Sequence, residues 1–457
     1  MRMSYRYLWI GLLFLLAFSL LALFAPIMPF HDDWWYLTAP NVDFTWRDLL
    51  PEKSFWRPFD ALFGGFLGMF PSCFPWANKV AIVSAHVMNV WMMDRVLCQF
   101  RKNDSMSTGQ RFLALSIMAF SSAAVSALVN TDTINQVWSV TLGLYGTLLM
   151  LNDSGRIYAI SGVICFFVSI LIKESGMAWL AVAPLLDYVR ARDFKVLLCR
   201  AFAGVIILGA YFALRFMLQG NLVLSSEEYY AISFEPLKVA YNFIVGMVMG
   251  WSAVDGLAFF TGKYMLFGMT VLLSLVGWLL LMMAAIQSDV RENMRRIFIG
   301  LVMVLAFAAP HCFFKYFHPA ELHLYSVVTG VSLFVGCVRF ADKQRMGVFM
   351  GTLCLMVLFG LGWGDKITEI YARSDKMRGV MAKIAETGAN LEAPVAFVVA
   401  KERSLRCYSV FSQSVVHGFG ENTALRSLNG WRETKAIVVT PETLASLSAD
   451  TKVILVD

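Results

Sequence analysis

The sequence predicts an α-helical polytopic membrane protein of about 11–13 spans followed by a small α/β domain. Three observations carry that prediction. The first is composition. Of 457 residues, 58% are hydrophobic and 15% charged, whereas soluble domains run about 45–50% apolar and about 25% charged. The second is the run length of apolar segments, which repeatedly reach the ~20 residues a bilayer-crossing helix needs. The third is the placement of Lys and Arg. The mean hydropathy of +0.63 excludes a soluble enzyme and a disordered chain, and a net charge of +6 gives no reason to expect nucleic acid as a partner.

The spans are expected at 7–30, 76–98, 111–130, 136–151, 156–172, 177–189, 198–219, 264–286, 297–314, 323–341 and 346–363. The first is too long for the apolar stretch of a signal peptide, and Pro26 and Pro29 stand where a cleavage site would need small residues. The stretch 236–262 is apolar but carries Asn242, Asp255 and four glycines. It reads as one span, two spans or interfacial helices. Basic residues arbitrate. With a cytoplasmic N-terminus and no net crossing by 236–262, inner segments hold 17 Lys and Arg and outer loops hold 9. A single crossing would erase that bias, which normally sets orientation. Eleven spans, or thirteen, therefore leave the C-terminal region outside.

After residue 363 charges return and apolar runs shorten. A domain boundary is expected there, giving a transmembrane domain over 1–363 and an outer α/β domain over 364–457. Helical spacing covers 366–387, and Gly388 suits a helix stop. Pro394–Ala400, Lys435–Thr440 and Lys452–Val456 read as buried strands, with Pro441–Leu447 a short helix. Ile437, Val438, Val439, Val453, Ile454 and Leu455 are the expected core of the sheet.

Polar residues that a membrane class does not require are the candidates for chemistry. The first outer loop opens HDDWWYL from His31. Asp32 and Asp33 read as loop acids beside interfacial tryptophans or, alternatively, as a carboxylate at a cavity mouth, where it acts as general base or cation ligand. Arg57 is either a snorkelling interfacial residue or a planar fork for phosphate. His86 and Asn89 lie three apart on one helix face and suit an interhelical hydrogen bond or a polar path. Asp132, Asn135 and Gln136 read as a solvated loop. Lys173 and Glu174 end the fifth span, and a lone cation there faces the same side as the aspartates. The loop HCFFKYFHPAELHLYS places His311, His318 and His323 near Glu321 and Tyr325. Its spacing matches no familiar zinc pattern, and a polar loop near a headgroup or sugar is the better reading. Eight cysteines show no CxxC pairing, so neither metal nor disulfides are expected. Without a phosphate-binding GxxxxGK[ST] or a GxSxG, an ATP-driven pump and a serine hydrolase fall away.

Taken in order, these pieces resemble the GT-C class of polytopic glycosyltransferases, near the protein mannosyltransferases, aminoarabinose transferases and O-antigen glucosyltransferases. The matching pieces are Asp32-Asp33 after span one, Arg57-Pro58 before GMFPSCFPWANKV, and the HxxN of His86 and Asn89. Lys173-Glu174 followed by Asp187, and Glu321 to Tyr325 opening a late span, complete the series. The late element has His323 where such enzymes often have Arg.

The resemblance implies transfer of one sugar from a polyprenyl-phosphate-linked donor to a glycan, lipid or protein acceptor. The expected place is the outer face of a bacterial inner membrane, by inverting displacement. It implies Asp32 or Asp33 as base and Arg57 and Lys173 on the phosphate. His31, His86, Asn89, Glu174, Glu321, His323 and Tyr325 then support these groups or line the substrate. No cofactor is required, and a divalent cation is optional. Membrane lipids are the other expected contact. A flippase or secondary transporter is the main rival, although no internal symmetry is visible. An O-antigen polymerase or ligase is the third reading.

Overall fold

The computed structural model describes residues 2–30, 33–34, 57–59, 76–101, 106–130, 133–152, 155–219, 234–287, 290–313, 323–399, 402, 414–420, 423–430 and 432–456. A helical bundle comes first. It comprises α1 (Arg2–Phe24), α2 (Trp76–Phe100), α3 (Thr108–Phe120), α4 (Val125–Val129), α5 (Ile134–Met150), α6 (Arg156–Ile172) and α7 (Trp179–Ala191). It continues with α8 (Phe194–Gln219), α9 (Pro236–Ser252), α10 (Gly256–Phe260), α11 (Tyr264–Ile286), α12 (Val290–Cys312), α13 (Leu324–Cys337) and α14 (Arg345–Glu386). Each expected span coincides with helix. In hydrocarbon a helix is the open-chain way to satisfy every backbone donor and acceptor within one segment. Six of the described helical segments, counting α3 and α4 together, are long and apolar enough to cross a membrane.

The bundle has two chemically different ends. At one, carboxylates pair with the basic residues of the short connections. Asp187 accepts from Arg190 at 2.9 Å and lies 2.8 Å from Arg200, and Glu292 receives Arg192, Arg295 and Arg296, each at 2.9 Å. Arg101 donates to the carbonyls of Gly336, Cys337 and Val338, capping the C-terminus of α13. Asp187 therefore belongs to this end. The other end gathers the C-termini of α1, α6 and α12 with the N-termini of α11 and α13, and the site candidates lie there.

The ambiguous stretch 236–262 starts and finishes at that second end. Phe234 packs on Phe313, with ring centroids 6.0 Å apart, just past α12. Asn242 donates to the Cys312 carbonyl at 3.1 Å. α9 then runs into the bundle until Ser252 receives Ser274 of α11 at 3.0 Å, well down that helix. Ala253 breaks the helix in a left-handed conformation, φ 53°. α10 climbs back to Lys263, beside the first residue of α11. Lys263 bridges Asp365 and Glu369 of α14, the latter at 2.8 Å.

α14 differs from expectation. It is one helix of 42 residues and does not break at 363; its first half packs on α11 and its second half carries the C-terminal domain. The stop comes at Gly388, φ 58°, as the spacing predicts. Beyond it, β1 (Val395–Val398) lies between β2 (Ile437–Val439) and β3 (Lys452–Leu455), all parallel. Two short helices, α15 (Val415–Gly418) and α16 (Thr423–Leu428), complete the described part. β1 is buried throughout, but the expected burial of the last strand fails: Val453 is 51% and Leu455 74% exposed. β3 is an edge strand, and among the described residues no layer covers those two side chains.

The core of this domain is completed from elsewhere in the chain. Phe30 and Trp34, which follow α1, pack with Met377, Val380 and Ile384 of α14 and with Phe397 and Val415. Gly418 makes room for them, since a Cβ there would lie 2.9 Å from the Phe30 ring.

Candidate active site

Lys173 and Glu174 sit on a pivot between two helices. α6 ends at Ile172, Lys173 is extended, and residues 174–178 form a single 3-10 turn before α7 begins. The pivot turns Glu174 into the bundle. Arg57 grips it with two nitrogens that converge on Oε2: Nε donates to Oε2 at 2.9 Å and more loosely to Oε1 at 3.2 Å, and an Nη nitrogen lies 2.8 Å from Oε2. Phe59, two residues on from Arg57, packs against Ile170, Leu171 and Tyr211, which fixes that short segment. Arg215 approaches the same carboxylate from α8, with Nη1 4.0 Å from Glu174 Oε1 and 3.1 Å from the Tyr211 hydroxyl. α8 otherwise shows apolar side chains such as Phe202 and Met217 to its surroundings, while Tyr211 and Arg215 are wholly buried. Burial opposes ionisation of Glu174. Arg57 and Lys173 outweigh it and hold the carboxyl below its ordinary range, so it is a carboxylate at neutral pH.

Beside this cluster two imidazoles stack. The rings of His311, from α12, and His323, which precedes α13, lie 4.6 Å apart and 14° from parallel. Gln136 Nε2 lies 2.9 Å from His323 Nδ1. An amide nitrogen only donates, so Nδ1 accepts and the neutral ring carries its proton on Nε2. Parallel rings do not converge on one ion, and the carboxylate here is already held by Arg57. Among the described residues no three His, Cys, Asp or Glu side chains converge to hold a metal. The guanidinium and ammonium groups of Arg57, Arg215 and Lys173 offer donors suited to an anion.

His86, Asn89 and Tyr325 form a separate buried group. His86 Nε2 lies 3.3 Å from the Ala119 carbonyl and Nδ1 2.9 Å from the Tyr325 hydroxyl. The carbonyl can only accept, so Nε2 carries the proton and Nδ1 accepts from the phenol. Asn89 Nδ2 donates to that same phenol oxygen at 3.0 Å and to the Val137 carbonyl at 3.0 Å. The three side chains tie α2, α3, α5 and α13 together.

Asp33 closes on yet another set of neighbours. Its Oδ2 accepts the Phe30 N–H at 3.0 Å, and its own N–H returns to the Phe30 carbonyl at 3.1 Å. The side chain is buried, 1% exposed. Arg373 of α14, fully buried, lies over the Phe30 ring at 4.1 Å and within electrostatic reach of Asp33. Trp34 Nε1 donates to the Gly418 carbonyl at 3.1 Å. The aspartate loop is thus seated on α14 and the C-terminal domain. His31, Asp32 and Glu321 lie outside the described residues.

The structure brings Arg57, Lys173, Glu174 and His323 into one cluster and His86, Asn89 and Tyr325 into another. Sequence reasoning gave no site role to Arg215, Tyr211, His311, Gln136 or Arg373. A signal existed for the first two: Tyr and Arg spaced i, i+4 in an otherwise apolar span share one face, and an ionisable residue within a span is a functional candidate by default.

No family model and no curated protein matches the sequence. Solved structures of ArnT from Cupriavidus metallidurans share its fold. ArnT bound to undecaprenyl phosphate is 11% identical, with a TM-score of 0.50 over 99% of this chain and 96% of that one. The apo state gives 12% and 0.51 over 98% and 94%.

Proposed function

Proceeding from a GT-C fold shared with ArnT along nearly its whole length, we propose that this protein is a membrane glycosyltransferase that uses a polyprenyl-phosphate-linked sugar. The acceptor is an envelope glycan, lipid or protein, and transfer takes place at the outer face of the inner membrane. One observation carries the reading. Arg57, Arg215 and Lys173 gather at one end of the bundle, where an Arg fork is already set for a carboxylate or phosphate. The structure in which ArnT holds undecaprenyl phosphate makes a polyprenyl phosphate the natural occupant.

The chemistry follows from charge. The acceptor hydroxyl attacks the anomeric carbon as the bond to the phosphate oxygen breaks, inverting that centre. Asp32 or Asp33 takes the hydroxyl proton. Negative charge grows on the departing phosphate, and preorganised cations stabilise that growth without reorganising water. The neutral His323 ring, with its Nε2 proton, adds a donor and no charge to the same pocket.

The experiment uses the purified full chain in detergent with labelled polyprenyl-phosphate sugars and a membrane-extract acceptor. Asp32→Asn or Asp33→Asn should lower transfer by roughly 100-fold or more, the scale of losing a general base, with little change in lipid affinity. Arg57→Ala should weaken lipid binding as well as turnover, because the ground-state phosphate is already anionic. Parent-like transfer by both aspartate variants would remove the assignment of the base. Donor lipid that crosses liposomes without being consumed would put a flippase in place of the enzyme.

A further inference from the structure

The Glu174 carboxylate occupies an unusual position for a group that merely supports a phosphate site. It is gripped by both Arg57 nitrogens that a phosphate would use, Nε and an Nη, at 2.8–3.2 Å. Arg215 Nη1 stands 4.0 Å from Oε1 of the same carboxylate, a gap wider than a hydrogen bond. Lys173 precedes it in the chain on extended backbone, so its side chain leaves from the same pivot. An Arg fork binds carboxylate and phosphate with the same two parallel N–H···O bonds. It cannot give its full fork to both at once.

We infer, resting on the reading of this cluster as a phosphate site, that Glu174 is a resident stand-in for the ligand phosphate. Its carboxylate neutralises the Arg57 fork until a phosphate displaces it, and Arg215 is a further cation of the site, set back so that the larger anion can reach it.

Physical bookkeeping favours such a device. Arg57 is half-buried and Arg215 wholly buried, and guanidinium groups withdrawn from water are costly without an anion, so a site built only from cations would fold poorly when empty. A carboxylate on a short turn satisfies the fork in the empty state. It lies on the 3-10 pivot 174–178 and not within a long helix, so it can swing aside through its own torsions and those of the turn. Donor affinity is then moderate by design, because each binding event first breaks an internal ion pair. After transfer, the same carboxylate competes with the product phosphate for Arg57 and helps the spent lipid leave. Burial alone would discourage the charged form, yet Arg57 and Lys173 keep Glu174 ionised, as a competitor must be.

The test measures binding of farnesyl phosphate to the full chain in nanodiscs, with farnesol as the uncharged control. Glu174→Gln removes the competing charge while keeping the shape. It should tighten farnesyl phosphate binding on the order of tenfold, the weight of one charge-assisted contact, and leave farnesol binding unchanged. Arg215→Gln should weaken farnesyl phosphate binding on the order of tenfold. A second readout is independent of the binding signal: farnesyl phosphate should raise the thermal midpoint of Glu174→Gln more than that of the parent, since tighter ligand stabilises the folded state more. Where Glu174→Gln does not fold, Glu174→Asp, whose carboxylate reaches less far, should shift affinity the same way by a smaller factor. Weakened or unchanged affinity in these Glu174 variants would overturn the inference and make Glu174 an organiser of Arg57. A parent protein that binds no farnesyl phosphate would instead overturn the phosphate-site reading beneath it.

Discussion

A single phenol oxygen joins two helices in this protein, and the side chains bonded to it reach two more. Tyr325 donates to His86 and accepts from Asn89, and all three side chains are wholly buried. Removing that oxygen leaves two buried polar groups short of a partner. Tyr325→Phe should therefore cost about 1–3 kcal/mol of stability, seen as a lower thermal midpoint, with polyprenyl phosphate affinity unchanged. The HxxN half of this group was legible because spacing of three puts both residues on one face. Its partner was visible as a residue but not as a partner, since it lies 239 positions from His86. Glu174 was legible as a charge beside Lys173, and its grip on Arg57, 117 residues away, was not. Its depressed pKa has a sign that can be checked. The ion pair stabilises the fold above the carboxyl's unfolded value, and that contribution is lost as pH falls through the lowered one.

At the scale of elements, the irregular piece α9–α10 is the most distinctive. Its sequence announced irregularity through Asn242, Asp255 and four glycines, and the basic-residue count favoured no net crossing. What sequence could not supply was the turning point. That is Ala253, a residue with a Cβ held at φ 53°, where glycine would be the cheaper choice. Ala253→Gly should stabilise the fold by up to about 1 kcal/mol, whereas Ala253→Val should destabilise it; differential scanning fluorimetry distinguishes the two. Neighbouring side chains hold the turn despite its cost. Ser122 donates to the Ala253 carbonyl at 3.4 Å, and the backbone N–H of Asp255 donates to Thr270 at 3.3 Å. The last strand was misread for a complementary reason. Val453 and Leu455 have the composition of a core strand, but they share one face of β3 that no described layer covers, whereas β2, the other edge strand, is largely buried; which face of a strand is covered is not written in the strand alone.

For the molecule as a whole, the spans and the α/β domain were readable from run length and charge, because a bilayer forces those patterns on any chain. The dependence of the first loop on the last domain was not readable. Phe30 and Trp34 complete a core built mainly from residues after 370. A chain truncated after Glu386 should therefore lose sugar transfer while keeping polyprenyl phosphate binding, since Arg57, Lys173 and Arg215 belong to the bundle. Retained transfer by such a chain would sever the link between the domain and the aspartates. Orientation has its own check: alkaline phosphatase fused after Asp457 should be active, and fused after Arg192 inactive. Finally, α14 is continuous from the bundle to the domain, about 63 Å at 1.5 Å per residue. A continuous helix transmits angle as well as distance. One residue inserted between Lys263's partner Glu369 and Arg373 would rotate everything beyond it by about 100°, swinging Arg373 and Met377 off the Phe30 side. Seven inserted residues would nearly restore the phase but lift the domain by about 10 Å. The shaft therefore keeps both the clocking and the height of the domain that seats Asp33, and the spacing between those two points is expected to tolerate substitution far better than insertion.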